Sequence, residues 1–224
     1  MLRIARERLR QGYRTTRFPR GAPPALPERF RRHPLVGPSR SEEGCDSCID
    51  PCAAGAITRT PAGVLSFDLG RRLFCADWIT ACPSGAIGFT GDHRLATRVR
   101  EHLAIGTAEL HRAESLGREQ RRHLGRSLRL RQVSADGLRI TGPVTRNVRL
   151  ALEKTHLAVP DPKIVIASGA CAISGGPYSG AMEACDGVAG ILRVDLFVPG
   201  CPPHPLTLLD GLLRLLGRIG PVTA

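Results

Sequence analysis

Short apolar runs alternate with helical patterns over the last ninety or so residues of the chain. The runs are rich in Val, Ile, Leu and Phe and end in loops with Gly or Pro, which is typical of buried parallel strands. Strands are predicted at residues 138–142, 163–168 and 192–198. Helices are predicted at residues 145–157, at residues 171–188 after an irregular glycine-rich start, and at residues 204–218. This β-α-β-α-β order predicts an α/β fold with a parallel sheet and right-handed crossovers.

Two of the predicted strands run into loops that each carry one cysteine, Cys171 and Cys201. The carboxyl ends of parallel strands lie at one edge of a sheet, so we expect these two thiols to be neighbours. Glycines around both cysteines leave backbone N–H groups accessible to a ligand. Two thiolates in this setting indicate half of a soft-metal or iron–sulfur site. Two buried free thiols are the alternative, and the matched placement of the cysteines favours the metal site.

An internal repeat with a period of thirty residues occupies residues 42–87. Its first copy ends Cys52-Ala-Ala-Gly-Ala-Ile57 and its second ends Cys82-Pro-Ser-Gly-Ala-Ile87, and the alignment places Cys45 opposite Cys75. A short strand is predicted at residues 64–67, between the two copies. The repeat resembles a bacterial two-cluster ferredoxin, whose motif is C-x2-C-x2-C-x3-C-P. In that motif the fourth cysteine serves the other cluster.

Three motif positions of the repeat hold other residues: Glu42 and Arg72 stand at the two first positions, and Trp78 stands opposite Cys48. The resemblance implies one cluster drawing on Cys45, Cys48 and Cys82, with Glu42 or an outside ligand as the fourth. The other site retains only Cys52 and Cys75. Arg72 cannot ligate iron because its guanidinium stays charged, and Trp78 would fill cluster space with its indole ring. We therefore expect one [4Fe–4S] cluster at most in this region.

Two other interpretations of the repeat remain open. Cys45 and Cys48, with two later cysteines, could form a four-cysteine zinc site, although this does not explain the repeated Gly-Ala-Ile ending. The region could also be a ferredoxin-like fold without metals that serves as a docking module.

Positive charge is concentrated in two segments. The net charge of the chain is +12, and residues 1–40 and 94–131 are rich in arginine. Such segments bind nucleic acid, an anionic membrane face or an acidic partner protein. Without interleaved aromatic residues or a nucleic-acid motif, we expect a solvated face or an arm on a protein partner, and no nucleic acid. Prolines predict that residues 1–40 are an extended arm.

Residues 92–124 show an apolar spacing that predicts a helix, with Asp92 as its N-cap and with its histidines, including His93, facing solvent. No run of eighteen apolar residues is present, so no transmembrane segment is predicted, and no secretory signal is visible. The predicted organisation is a basic arm (1–40), a ferredoxin-like α+β domain (41–91), a helical linker (92–126) and the α/β domain (127–224).

The α/β region resembles a known family through three motifs. Asp161-Pro-Lys-Ile-Val-Ile-Ala-Ser-Gly-Ala-Cys-Ala-Ile-Ser-Gly-Gly176, Val198-Pro-Gly-Cys-Pro-Pro203 and Ile140-Thr-Gly-Pro-Val-Thr-Arg-Asn147 resemble the small iron–sulfur subunit of complex I and of membrane-bound [NiFe]-hydrogenases of the formate-hydrogenlyase type. The resemblance implies a partial flavodoxin-like sheet and [4Fe–4S] electron transfer. It also implies a hydrogenase or complex I-like large subunit and membrane subunits as partners, and a peripheral position on the cytoplasmic face of the membrane.

One part of the family pattern is missing from this chain. In the family, the first strand leads to a loop with two further cysteines and a crossover helix, which complete the proximal cluster site. Here residues 127–133 resemble that strand, but only the four residues 134–137 separate them from the next one, which suits a hairpin or bend and not a parallel crossover. Cys185 lies before the third strand and is interpreted as a core thiol.

These observations lead to one function hypothesis and one competing hypothesis. The first is an iron–sulfur electron-transfer subunit with an incomplete proximal site, which is not catalytic alone because no nickel site, nucleotide-binding loop or acid–base pair is visible. The second is a non-redox scaffold or assembly subunit that has lost its clusters.

Overall fold

The computed structural model describes residues 6–7, 10, 18–26, 31, 33–36, 44–61, 63–106 and 137–220. Contacts divide the chain into two units, residues 1–30 and residues 31–224. Within the first unit, residues 18–20 form a turn and residues 19–25 are exposed. The elements described below all belong to the second unit. Glu42 and the predicted strand at 127–133 lie outside the described residues, as does the larger part of the predicted helix at 92–124.

A parallel sheet forms the α/β part of the second unit, as predicted. Its strands are β6 (Gly137–Thr141), β7 (Ile164–Ser168) and β8 (Leu196–Val198), in that spatial order and parallel throughout. Helix α2 (Arg146–Ala158) connects β6 to β7, and α4 (Pro205–Leu215) follows β8. All five residues of β7 are buried, because the central strand is covered on both faces. This sheet confirms the α/β class.

The segment after β7 is less helical than predicted. Only a short helix α3 (Ala170–Ser174) and a 3-10 helix (Gly176–Tyr178) form, and turns continue to residue 195. The prediction of a helix reaching residue 188 is wrong because Gly175 adopts a left-handed φ of 82° that ends α3. Gly187 then lies directly against the backbone of Ile173, which folds the turn back onto α3.

The repeat folds into two antiparallel pairings related by its symmetry. Strand β1 (Pro34–Val36) pairs with β4 (Ile87–Phe89), and β2 (Ile57–Arg59) pairs with β3 (Leu65–Asp68). The strand predicted at residues 64–67 is β3. A one-turn helix α1 (Asp77–Thr80) lies in the second copy, before Cys82. In each pairing, the strand that ends one copy (β2 or β4) pairs with a strand that precedes the cysteines of a copy (β3 or β1).

The described part of residues 92–124 is not the predicted helix. Thr97 exchanges backbone hydrogen bonds with Phe197 of β8 at 3.0 and 2.7 Å, a 3-10 helix spans Arg100–Leu103, and β5 (Ala104–Gly106) pairs antiparallel with β3. Asp92 does not cap a helix, since its carboxylate accepts hydrogen bonds from Arg94 at 2.7 to 3.0 Å. His93 is buried, which corrects the expectation that it faces solvent.

The repeat and the α/β part contact each other at the end of α3. Arg100 binds the carboxylate of Asp68 through two hydrogen bonds of 2.9 and 2.7 Å. The Ser174 hydroxyl donates to the carbonyl of Gly70 at 3.1 Å, and a Cβ at Gly70 would lie 2.8 Å from the Ile173 side chain. The main apolar cluster extends across this contact from Leu69 and Leu103 to the sheet. The described parts of residues 31–224 hold three apolar clusters, and the main one joins the repeat to the sheet.

Candidate functional site

The two copies of the repeat build the same loop around Cys52 and Cys82. The N–H of each cysteine donates to the carbonyl three residues earlier, at 3.0 Å for Cys52 and 3.2 Å for Cys82. Gly55 and Gly85 then donate back to the carbonyls of these cysteines and adopt left-handed φ angles of 56° and 58°. The repeated glycine is required by this conformation, which other residues rarely adopt. The sequence repeat is therefore a conformational repeat of two cysteine-bearing turns.

At the first candidate site, Cys45 and Cys82 both lie near enough to Cys48 to influence its pKa. Burial is the main cause that raises the pKa of Cys48, and the nearby thiolates of Cys82 and Cys45 raise it further. Cys48 is buried, whereas Cys45 and Cys82 are half-buried. Cys82, from the end of the second copy, thus lies near Cys48 of the first copy. That these residues bind iron stays a prediction.

Hydrogen-bond donors contact the sulfurs of both turns, several at Cys82 and one backbone N–H at Cys52. Burial alone would raise the pKa of Cys82, but the Ser84 hydroxyl and backbone N–H groups of residues 84, 86 and 87 together lower it. At the equivalent place in the first turn, the N–H of Ala56 donates to the Cys52 sulfur at 3.3 Å. Sequence reasoning missed the serines at this site, although the pattern Cys-x-Ser occurs at both Cys45 and Cys82. Ser47 and Ser84 lie 3.5 and 3.6 Å from the respective sulfurs.

The second site is a cavity of about 80 Å³ lined by Cys52, Cys75, Arg72 and Trp78. These residues stand at the four positions that the ferredoxin resemblance assigns to a second cluster, and the fold places all four on one cavity. Burial is the main cause that raises the pKa of Cys75. Two of the four positions hold side chains that cannot ligate iron.

Aromatic rings surround the guanidinium of Arg72, which is only 3% exposed. Its central carbon lies 4.6 Å from the ring centroids of Trp78 and Phe89 and 4.8 Å from that of Phe74. Trp78 is 2% exposed and packs against Phe89 in a T-shaped arrangement at 5.3 Å and against Phe67 at 5.8 Å. Burial lowers the pKa of Arg72 to about 9, which leaves the guanidinium charged at neutral pH.

Cys171 and Cys201 lie at the carboxyl ends of the neighbouring strands β7 and β8. Burial raises the pKa of Cys171, and the nearby Cys201 thiolate raises it further. Cys201 is exposed, and a Cβ at Gly176 would lie 3.1 Å from the Cys171 sulfur. The structure thus brings these two sulfurs together at one sheet edge. Cys185 packs against the main apolar cluster, as expected of a core thiol.

Within the described residues, no three His, Cys, Asp or Glu side chains are close enough to hold a single metal ion. No helix in the same part of the chain is long and apolar enough to cross a membrane.

Comparison with known proteins gives matches to the C-terminal half. The family described as NADH ubiquinone oxidoreductase, 20 Kd subunit, matches residues 94–215. An NADH-quinone oxidoreductase subunit of Heliobacterium modesticaldum is 41% identical over 85 residues, which are 38% of this chain and 49% of that protein. An NAD(P)H-quinone oxidoreductase subunit of Prochlorococcus marinus is 42% identical over 87 residues, covering 38% and 36% of the two chains. The chain thus spans less than half the length of these curated relatives.

A similar chain of known structure belongs to the membrane-bound sulfane sulfur reductase, an archaeal respiratory membrane complex. The two chains are 36% identical over 37% of this chain and 46% of that one, with a TM-score of 0.35. The match of the family to residues 94–215 covers more than half of the 224 residues. The chain therefore belongs to the family of the NADH ubiquinone oxidoreductase 20 Kd subunit.

Proposed function

We propose that the chain is an iron–sulfur electron-transfer subunit of a complex I-like or [NiFe]-hydrogenase-like oxidoreductase. The observation that carries this proposal is the grouping of Cys82, from the second copy of the repeat, with Cys45 and Cys48 from the first. Membership of the family supports it, because curated relatives are named subunits of quinone oxidoreductases. The chain has no role as an enzyme by itself in this proposal.

Cys45, Cys48 and Cys82 would hold one [4Fe–4S] cluster, which supplies one-electron redox chemistry when bound. The residues at the site fit such a group, because thiolates are its ligands and N–H groups of the turns point at the Cys82 sulfur. Ser84 and those N–H groups stabilise negative charge on the Cys82 sulfur. They would therefore favour the reduced, more negative state of a cluster bound there. The fourth ligand would be Glu42 or a group from another subunit.

Cys171 and Cys201 supply only two ligands toward a proximal cluster. All eight cysteines of the chain are among the described residues, five of them lie in the repeat, and Cys185 packs in the core. Two thiolates do not close a four-ligand cubane, so a cluster at this sheet edge would need ligands other than cysteines of the same chain. We propose that the proximal site is incomplete in the isolated chain.

The proposed partners are a large subunit of a hydrogenase or complex I-like assembly and the membrane subunits of that assembly. Through these partners the chain would lie on the cytoplasmic face of the membrane. In the proposed organisation, a basic arm (1–40) and a helical linker (92–126) flank the ferredoxin-like domain (41–91), and the α/β domain (127–224) faces the large subunit.

Iron and acid-labile sulfide per chain, measured after anaerobic purification, test this proposal. We expect brown protein with about four iron atoms per chain. Cys45→Ser and Cys82→Ser should each lose most of this iron, whereas Cys171→Ser and Cys201→Ser should lose less. Cys185→Ser is the matched control and should lose none. Colourless, iron-free protein from a host competent in cluster assembly would contradict the proposal, as would equal losses from all five variants.

A second candidate is a non-redox scaffold subunit of the same kind of assembly. The burial of Arg72 and Trp78 favours it, because both side chains are buried at positions where the resemblance implies cluster ligands. Iron-free protein that still binds a large subunit would select the scaffold. One equivalent of zinc would select the four-cysteine zinc interpretation, and DNA retention with a steep salt dependence would select nucleic-acid binding.

A further inference from the structure

We infer that Arg72 is a built-in cation that takes the place of a second metal cluster and closes the Cys52–Cys75 site to iron. The inference concerns the second site only. It holds whether or not the first site binds the cluster proposed above.

The position of Arg72 in the repeat is the first step. In the two-cluster pattern, the second cluster takes three ligands from the second motif and one from the first. In this chain those four positions are Arg72, Cys75, Trp78 and Cys52, and all four line the same cavity. Arg72 therefore lies at a ligand position by sequence and inside the ligand cavity by structure.

The aromatic surroundings of Arg72 suit a planar cation. Three rings, those of Phe74, Trp78 and Phe89, lie with their centroids within 4.8 Å of the guanidinium carbon. A guanidinium stacks on aromatic faces and is weakly hydrated, so it tolerates this burial better than an ammonium group. Phe74 adopts a left-handed φ of 58°, which is rare for an aromatic residue and indicates that its placement is enforced by the surrounding structure.

Charge at the site is consistent with this role. Burial is the largest influence on Arg72 and disfavours its charge, but the thiols of Cys75 and Cys52 act in the opposite direction when ionised. A cluster would add thiolate and sulfide charge beside these rings and would have to displace both the guanidinium and the indole. The remaining cavity of about 80 Å³ opens onto the two cysteines and not onto a four-thiolate cage. Arg72 and Trp78 therefore stand in this cavity at the two positions where a four-thiolate cage would need its other cysteines.

Restoring the two missing cysteines tests the inference directly. In Arg72→Cys/Trp78→Cys, the second motif and Cys52 again provide four thiolates, so anaerobic reconstitution should add about four iron and four sulfide per chain over the wild type. The matched control is Arg71→Cys/Trp78→Cys. It has the same number of cysteines but keeps Arg72, and it should add none. Equal gains in both variants would overturn the inference, and so would a folded Arg72→Cys/Trp78→Cys protein without added iron.

A second measurement covers the case in which the double variant does not fold. Arg72→Met removes the charge and the planar stacking but keeps a long apolar side chain. Alkylation of Cys52 and Cys75 should then accelerate by about tenfold or more, because the cation no longer holds the cavity closed. Arg72→Lys should give a smaller acceleration, and alkylation of Cys185 should not change in either variant. Unchanged alkylation of Cys52 and Cys75 in Arg72→Met would contradict the role given to Arg72.

The outcomes separate this inference from the proposed function. Iron-free wild-type protein contradicts the electron-transfer proposal but leaves the inference standing if Arg72→Cys/Trp78→Cys alone acquires a cluster. Iron in the wild type that depends on Cys52 and Cys75 supports electron transfer and overturns the inference.

Discussion

Replacing Gly187 with alanine should destabilise the protein by about 2–5 kcal/mol. Gly187 has a φ of 100°, and forcing a residue with a Cβ into a left-handed conformation costs about 1–2 kcal/mol. The new Cβ would also lie 2.2 Å from the carbonyl oxygen of Ile173 and 2.6 Å from its carbon, and overpacking of this kind costs about 1–3 kcal/mol. The neighbouring Val188 N–H donates to the carbonyl of Ala172 at 2.9 Å, so any shift moves α3, which carries Cys171.

Guanidinium unfolding measures the loss, and two other glycines separate its causes. Gly180 has a φ of 78° but open space around its Cβ position, so Gly180→Ala should lose only the conformational part, about 1–2 kcal/mol. Gly190 has neither feature, and Gly190→Ala should stay within about 0.5 kcal/mol of the wild type. Alkylation of Cys171 should accelerate only in Gly187→Ala. A loss in Gly187→Ala no larger than that in Gly180→Ala would refute the packing argument.

Two further predictions concern charged residues. Asp210 is 1% exposed and accepts two hydrogen bonds from Arg214, at 2.8 and 2.9 Å. Asp210→Ala should therefore lower the free energy of unfolding in guanidinium by about 3–5 kcal/mol, whereas Glu153→Ala, in an exposed ion pair, should lower it by less than about 1 kcal/mol. Equal losses in the two variants would contradict the role given to burial of the Asp210–Arg214 pair. Burial alone would raise the pKa of Asp92, but hydrogen bonds from Arg94 lower this pKa below its ordinary value of 3.8. The ionised carboxylate therefore stabilises the fold above pH 3.8, and this stabilisation is lost as the pH falls through the lowered pKa of the folded state. Asp92→Asn should therefore lower the unfolding midpoint at neutral pH and have less effect near pH ~2, and an equal effect at both pH values would show that the charge is not responsible.

The parallel sheet could be predicted from the sequence because its signal is local. Strands β7 and β8 are continuous apolar runs, and such runs are stable only when both faces are covered. Cys171 and Cys201 lie in the loops that follow these runs, so the parallel arrangement of the strands was sufficient to predict that both cysteines lie at one edge of the sheet. The same reasoning overestimated the following helix. A left-handed glycine and a turn that folds back onto α3 depend on contacts that no helical pattern encodes.

The segment at residues 92–106 shows how a helical spacing can mislead. Leu95 and Leu103 are buried as the spacing predicts, but Val99 between them is 41% exposed. The backbone is extended here because Thr97 pairs with Phe197, one hundred residues away, and β5 pairs with β3. Pairing with a distant strand satisfies the backbone groups that a helix would have satisfied locally.

The sequence by itself predicted how many thiolates each candidate site offers and which of them lie together. The thirty-residue repeat identified Arg72 and Trp78 as the residues at two ligand positions, and the cysteine count limited the sheet-edge site to two ligands. Only the tertiary structure decided where the Arg72 side chain lies. An arginine in a loop is ordinarily solvated. Here Phe89, from β4, and Trp78, from α1, meet over the guanidinium, and burial against rings from separate elements is a property of the packed fold.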